Sequence, residues 1–145
     1  QSGAHRAAAA AAERHAGAVR GLVAEGSGRQ LYSAGYDGRV RLWKAGSVRL
    51  EHSLEAGAPV GLLRHMRDTV LLAAGCDDRV VRVFDVATRR LVRRVEGHSN
   101  TLTDVAWGPD GRWLLTTAAC EGAEAAVEPA ALQEPHACAA EFWVE

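Results

Sequence analysis

The chain has 145 residues, of which 48% are hydrophobic and 24% charged, with a formal net charge of −1. That is the size and mix of one ordinary folded domain. Its longest apolar run, Ala7–Ala12, is alanine alone and too short to span a bilayer, and no charged-then-apolar leader opens the chain, so no membrane role is expected.

Residues 1–14 read as the end of a preceding strand followed by an Ala-rich link. From Ala18 the pattern turns to strands. Val19, Leu22 and Val23 lead into the turn cluster Glu25-Gly-Ser-Gly28. Leu31–Ala34 is a second strand, Asp37-Gly38 a tight hairpin turn, Val40–Trp43 an alternating third strand and Val48–Leu54 a fourth. Four more follow at Val60–Leu63, Thr69–Ala73, Val80–Phe84 and Leu91–Val95. Gly97-His98 opens another unit, with strands at Leu102–Trp107 and Trp113–Ala118 around the turn Gly108-Pro-Asp-Gly111. After Ala119 the pattern stops. Residues 120–145 read as an acidic Ala/Glu-rich tail broken by Pro129 and Pro135, irregular in structure, although Phe142-Trp-Val144 could supply a strand that closes the third unit.

These strands repeat. Ser33-Ala-Gly-Tyr-Asp-Gly-Arg-Val-Arg-Leu-Trp43 returns 41 positions later as Ala74-Gly-Cys-Asp-Asp-Arg-Val-Val-Arg-Val-Phe84. His15 returns 83 positions later as His98, two periods plus one residue. A period in the low forties with four strands per unit marks β-propeller blades. The expected fold is therefore all-β, a partial propeller of about two and a half four-stranded antiparallel blades: 15–55, 56–96 and an incomplete 97–119. A ring of seven such blades needs roughly 280 residues, so the chain reads as a piece of a longer protein.

His15, Ser33, Asp37 and Trp43 fall where one blade can build a buried polar network. The turn carboxylate orients the imidazole, which reaches the hydroxyl, which meets the indole N–H. Ser, His and Asp also spell a hydrolytic triad, but no nucleophile-elbow motif surrounds Ser33 and the network echoes in worn copies. In the second blade Ala56, Ala74 and Phe84 replace three members and only Asp78 remains. In the third, His98 persists, Thr116 or Thr117 could supply the hydroxyl, and Glu121 falls near the turn-acid position. These residues are read as structural, with no catalytic, cofactor or metal site expected. His52, His65 and His136 lack ligand-like spacing and read as surface residues. Trp107 and Trp113 read as packing residues rather than a stacking pair.

Charge is unevenly spread. Residues 1–120 carry all 17 Lys and Arg against 12 acids, while residues 121–145 carry six acids and no Lys or Arg. The densest basic cluster is Arg89, Arg90, Arg93 and Arg94, either a solvated outer strand or a contact for RNA or another acidic partner. The three cysteines, Cys76, Cys120 and Cys138, form no C-x-x-C or Cys/His set, which points to reduced thiols in an intracellular compartment.

The repeat resembles the WD-repeat (WD40) β-propeller family. Three stretches are more specific: Gln1-Ser-Gly-Ala-His-Arg6 followed by His15-Ala-Gly-Ala-Val-Arg-Gly21; Leu62-Leu-Arg-His-Met-Arg-Asp68; and Asp85–Arg93 running through Gly97-His98 to Trp107-Gly-Pro-Asp-Gly-Arg-Trp-Leu-Leu-Thr-Thr-Ala-Ala119. In this order they are similar to the WD-repeat subunit of the UtpB subcomplex of the small-subunit processome, over roughly residues 1–119. The resemblance implies a non-enzymatic scaffold in the nucleus and nucleolus. Its implied partners are other UtpB and processome proteins, with pre-rRNA and small nucleolar RNA, in ribosome biogenesis and rRNA processing. It implies no cofactor and no small-molecule substrate. The chain departs from the family after Ala119, where Cys120-Glu-Gly-Ala-Glu-Ala stands in place of a turn acid, a strand and a Trp-Asp pair. A competing reading is a generic interaction module such as a ubiquitin-ligase substrate receptor. Such receptors tend to end a blade with Trp-Asp-x-Arg, whereas these blades end Trp43-Lys-Ala-Gly46 and Phe84-Asp-Val-Ala87.

Overall fold

A computed structural model describes residues 13–109, 113–119 and 139–143. They form three antiparallel sheets. The first holds β1 (Val19–Ala24), β2 (Gln30–Gly35), β3 (Arg39–Lys44) and β4 (Arg49–Glu55) in sequential order. The second repeats this with β5 (Val60–His65), β6 (Leu71–Cys76), β7 (Val81–Asp85) and β8 (Arg90–Val95). The third contains β9 (Leu102–Trp107), β10 (Trp113–Ala118) and β11 (Ala139–Trp143) in the order β11-β10-β9. Each four-stranded sheet is a blade in which every strand pairs with its sequence neighbour, so only tight turns are needed.

Period-two alternation decides which side chains enter which interface. In β3, Val40 and Leu42 face blade 2, while Arg41 and Trp43 lie on the opposite face. Between the first two blades, Tyr32, Ala34, Val40, Leu42 and Leu54 pack against Val60, Leu63, Leu72, Ala74 and Phe84. Between the second and third, Ala73, Val81, Val83 and Val95 pack against Leu102, Val105 and Leu114. Blade 2 is thus apolar on both faces, and its strands β6 and β7 are buried almost throughout, as expected of a sheet covered on both sides. The first two blades approach closely at Gly21, where an added Cβ would sit 2.7 Å from Leu63 Cβ.

The echo extends to backbone conformation. Val48 and Arg89, 41 residues apart, both adopt left-handed φ, at 49° and 62°, in the turns before β4 and β8. Gly38 and Arg79, again 41 apart, do so at 75° and 68° in the turns before β3 and β7. Glycine takes this conformation without penalty, but arginine does not. The strand expected from Val48 therefore starts at Arg49, and the one expected from Thr69 starts at Leu71. Thr69 is held in a turn by its hydroxyl, which donates to Met66 O and accepts the Leu71 N–H.

Of the two readings of the segment after Ala119, the strand that closes the third unit is the one seen at its end: Ala139–Trp143 forms β11, paired with β10 in the register Trp113↔Trp143 to Thr117↔Ala139. It starts three residues before Phe142, so the end of the segment is not irregular. Residues 1–12 and 120–138, including Glu121, lie outside the described residues.

Candidate functional site

Asp37 sits in the turn between β2 and β3, and four donors converge on its carboxylate. His15 Nδ1 lies 2.9 Å from Oδ1 and Arg41 Nη1 2.8 Å from Oδ2. The backbone N–H groups of Ala16 and Arg39 approach at 3.1 and 3.2 Å. The Asp37 side chain is only 7% exposed. Burial alone would push its carboxyl up, but the hydrogen bonds from Arg41, His15 and the two backbone groups outweigh it and hold the acid well below the usual carboxylate range. Asp37 is therefore ionised and only accepts.

That sets the direction of the rest of the network. His15 donates from Nδ1, which leaves Nε2 as an acceptor for the Ser33 hydroxyl at 2.7 Å. Ser33 Oγ in turn accepts the indole N–H of Trp43 at 2.8 Å. The chain Trp43→Ser33→His15→Asp37 satisfies each group with one proton per link. It ties the loop before β1 to β2, the β2–β3 turn and β3. Arg41 Nη1 also lies 2.8 Å from His15 Nδ1, two donors converging on one carboxylate. Sequence reasoning missed Arg41, although its spacing from Asp37 recurs in Asp78 and Arg82.

In blade 2, Ala56, Ala74 and Phe84 occupy the positions of His15, Ser33 and Trp43, and all are buried. What survives is a bidentate pair: Arg82 donates to both Asp78 oxygens at 3.0 and 2.7 Å. The Arg82 hydrogen bond holds Asp78 below the usual range against burial, and the same bond raises Arg82. In blade 3, His98 Nε2 lies 2.7 Å from Thr116 Oγ1, so Thr116 holds the hydroxyl position. Thr117 instead meets Thr103 across the strands at 2.8 Å. Burial pushes the His98 imidazole below its ordinary value.

The remaining candidates divide. Arg89 lies in the turn before β8, and Arg90, Arg93 and Arg94 lie on β8; all four are exposed, with Arg94 Nη2 2.9 Å from Glu96. His65 departs from a surface reading: it is half-buried, bonded to Thr69 O at 2.9 Å and tilted against the Tyr32 ring. Trp107 packs on the interface between blades 2 and 3 and donates to Arg64 O at 3.0 Å. Trp113, on β10, is 39% exposed. His136 lies outside the described residues. Among the described residues no three His, Cys, Asp or Glu converge as a metal site.

Four antiparallel strands repeating at 41 residues, locked by a Trp–Ser–His–Asp chain with an Arg on the acid, define a blade of a WD-repeat β-propeller. The WDR36/Utp21 second beta-propeller domain family matches residues 1–123, and the chain belongs to that family. It is 33% identical over 118 residues to WD repeat-containing protein 36 of Homo sapiens, covering 81% of this chain and 13% of the relative. It is 34% identical over 102 residues to U3 small nucleolar RNA-associated protein 21 of Saccharomyces cerevisiae, covering 70% of this chain and 11% of the relative. A homologue of the latter in Schizosaccharomyces pombe is 35% identical over 98 residues, covering 68% of this chain and 11% of that protein. The chain thus spans roughly a tenth of the length of these relatives.

Proposed function

We propose that this chain forms part of a non-enzymatic WD-repeat scaffold of the small-subunit processome, acting in pre-rRNA processing and small ribosomal subunit assembly in the nucleolus. The observation that carries this reading is family membership, with relatives whose names place them with U3 small nucleolar RNA. The geometry supports a scaffold rather than a hydrolase. Ser33 is 6% exposed, and its oxygen already takes the Trp43 N–H. A nucleophile so placed would have to break that bond and reach substrate from within the sheet. His15, Ser33, Asp37, Trp43, Asp78 and His98 accordingly serve to hold blades in shape. The partners on this reading are other UtpB and processome proteins, with U3 small nucleolar RNA and pre-rRNA in the same particle. Arg89, Arg90, Arg93 and Arg94 present the surface on which an acidic partner is met.

The test is co-sedimentation of the complete protein from cell extract. Under this reading it runs with large pre-ribosomal particles and U3 small nucleolar RNA is recovered with it. A protein that stays at the top of the gradient under low-salt conditions, without that RNA, refutes the assignment.

A further inference from the structure

The outer strands of the first two blades occupy equivalent positions but have unlike surfaces. In β4, exposed and half-buried residues alternate until Leu54 is buried, and the charges are mixed: Arg49, Glu51 and Glu55. Its acids are engaged, Glu51 by Gln30 and Glu55 by Arg39. The edge also meets a carboxylate from its own chain, since the Leu50 N–H points to Glu13 Oε2 at 3.5 Å.

In β8 every residue but Val95 is exposed. Leu91 is 46% exposed and Val92 51%, two adjacent apolar side chains between Arg90 and Arg93. No acid occurs from Val86 to Val95. The backbones correspond closely. Trp43 pairs with Leu50 and Phe84 with Leu91, each beside a register shift that leaves one extra residue on the outer strand, Glu51 or Val92. The N–H that meets Glu13 in β4 therefore corresponds to that of Leu91 in β8. Among the described residues β8 pairs with β7 alone.

We propose that β8 is an acceptor edge for an acidic, extended peptide segment of a partner protein, which adds to blade 2 as a further strand. Main-chain hydrogen bonds supply the affinity of such strand addition, and alternate side chains supply the specificity. Arg90 pairs with Asp85 and Arg93 with Val83, so these two arginines share one face of β8 while Leu91 lies on the other. The partner's carboxylates meet Arg90 and Arg93, whose guanidinium groups bind them bidentately. Apolar residues that alternate with the acids cover Leu91. Four arginines on one edge also repel a second copy of the same edge, which steers β8 away from self-pairing. Single-stranded RNA fits less well. Its recognition combines cations with aromatic platforms for the bases, and the residues beside these arginines are Leu91 and Val92.

The inference rests on the reading of the arginine surface as a contact, but not on the identity of the assembly. The test is fluorescence anisotropy with the full chain and three labelled probes. These are a ten-residue peptide alternating Glu and Val, the same peptide with alternate backbone nitrogens methylated, and a uridine decamer. The acidic peptide should bind saturably, lose at least tenfold in affinity to R90A/R93A, and lose binding when methylated, since methylation removes strand pairing and keeps the charge. Overturning results are no binding of the acidic peptide, equal binding of the methylated one, or decamer binding that is tighter and equally lost in R90A/R93A. Failure here with intact co-sedimentation removes only this edge; the reverse removes only the assembly.

Discussion

Blades 1 and 2 share a backbone but solve one packing problem by different chemistry. The face carrying Ser33 and Trp43 in blade 1 carries Ala74 and Phe84 in blade 2 and Thr116 in blade 3. In blade 2 it packs against Tyr32, Ala34 and Leu42 of blade 1 with apolar side chains that need no partner. In blade 3 Thr116 is fully buried, and its hydroxyl lies 2.7 Å from His98 Nε2. A buried face thus accepts either an apolar set or polar groups that are paired. The common element of the first two blades is the turn Asp with its Arg four residues on, Asp37–Arg41 and Asp78–Arg82.

The largest effects should come from separating the two ion pairs. Asp37→Ala leaves Arg41 buried without its carboxylate and should cost about 3–5 kcal/mol. Asp78→Ala should cost less, about 1–3 kcal/mol, because Arg82 is also left buried but Asp78 itself is 37% exposed. Urea unfolding midpoints of the two variants check this, and equal losses would erase the distinction between the blades. The sign of the acid response follows from the same site. Asp37 is held below its ordinary value, so its contribution is complete above the normal carboxylate range and is lost as pH falls below about 4 toward the folded value. That loss should be missing from Asp37→Ala in acid titrations followed by circular dichroism.

A reciprocal exchange probes the faces themselves. Ser33→Ala leaves His15 Nε2 and the Trp43 N–H without partners and should cost about 1–3 kcal/mol. Ala74→Ser places a hydroxyl in the apolar interface and should also destabilise, by about 1–3 kcal/mol. Thermal melts that show either exchange to be neutral would mean the faces are interchangeable. Arg79→Gly should stabilise by about 1 kcal/mol, as it relieves left-handed strain that Gly38 avoids in blade 1. The reverse change at Gly38 should lose a similar amount in the same melts.

The smallest effect concerns blade 3. His98 is held below its ordinary value by burial, so the unfolded chain takes up its proton first. The contribution is complete above about pH 6.5 and shrinks as pH falls through that value. A His98→Gln variant should show a flatter stability profile between pH 7 and 5, measured by urea titration at each pH.

Much of this was legible because a repeat states each position twice. The 41-residue echo marked the strands of both full blades, the Asp37 turn and the members of its network. The His-to-hydroxyl spacing would also have chosen Thr116 over Thr117, since His98 to Thr116 repeats the 18-residue separation of His15 and Ser33. Arg41 and Arg82 recur in the same echo, but sequence does not show that their guanidinium groups fold back onto the turn acid. Strand β11 was legible only in its apolar end, Phe142-Trp143, because it lies far from its partner and outside the period.

The amino-acid order alone determined the all-β class, the blade period and the polar groups that had to find partners, because period-two alternation and turn chemistry are local. Only the tertiary structure decided which side chains meet between blades: Tyr32, Ala34 and Leu42 against Ala74 and Phe84, and Ala73, Val81 and Val83 against Val105 and Leu114. It also decided that His65 is half-buried against Tyr32, and that the β4 edge meets Glu13. Those outcomes depend on which sheet lies against which, and that is set by contacts between blades rather than by any residue's own neighbours in the chain.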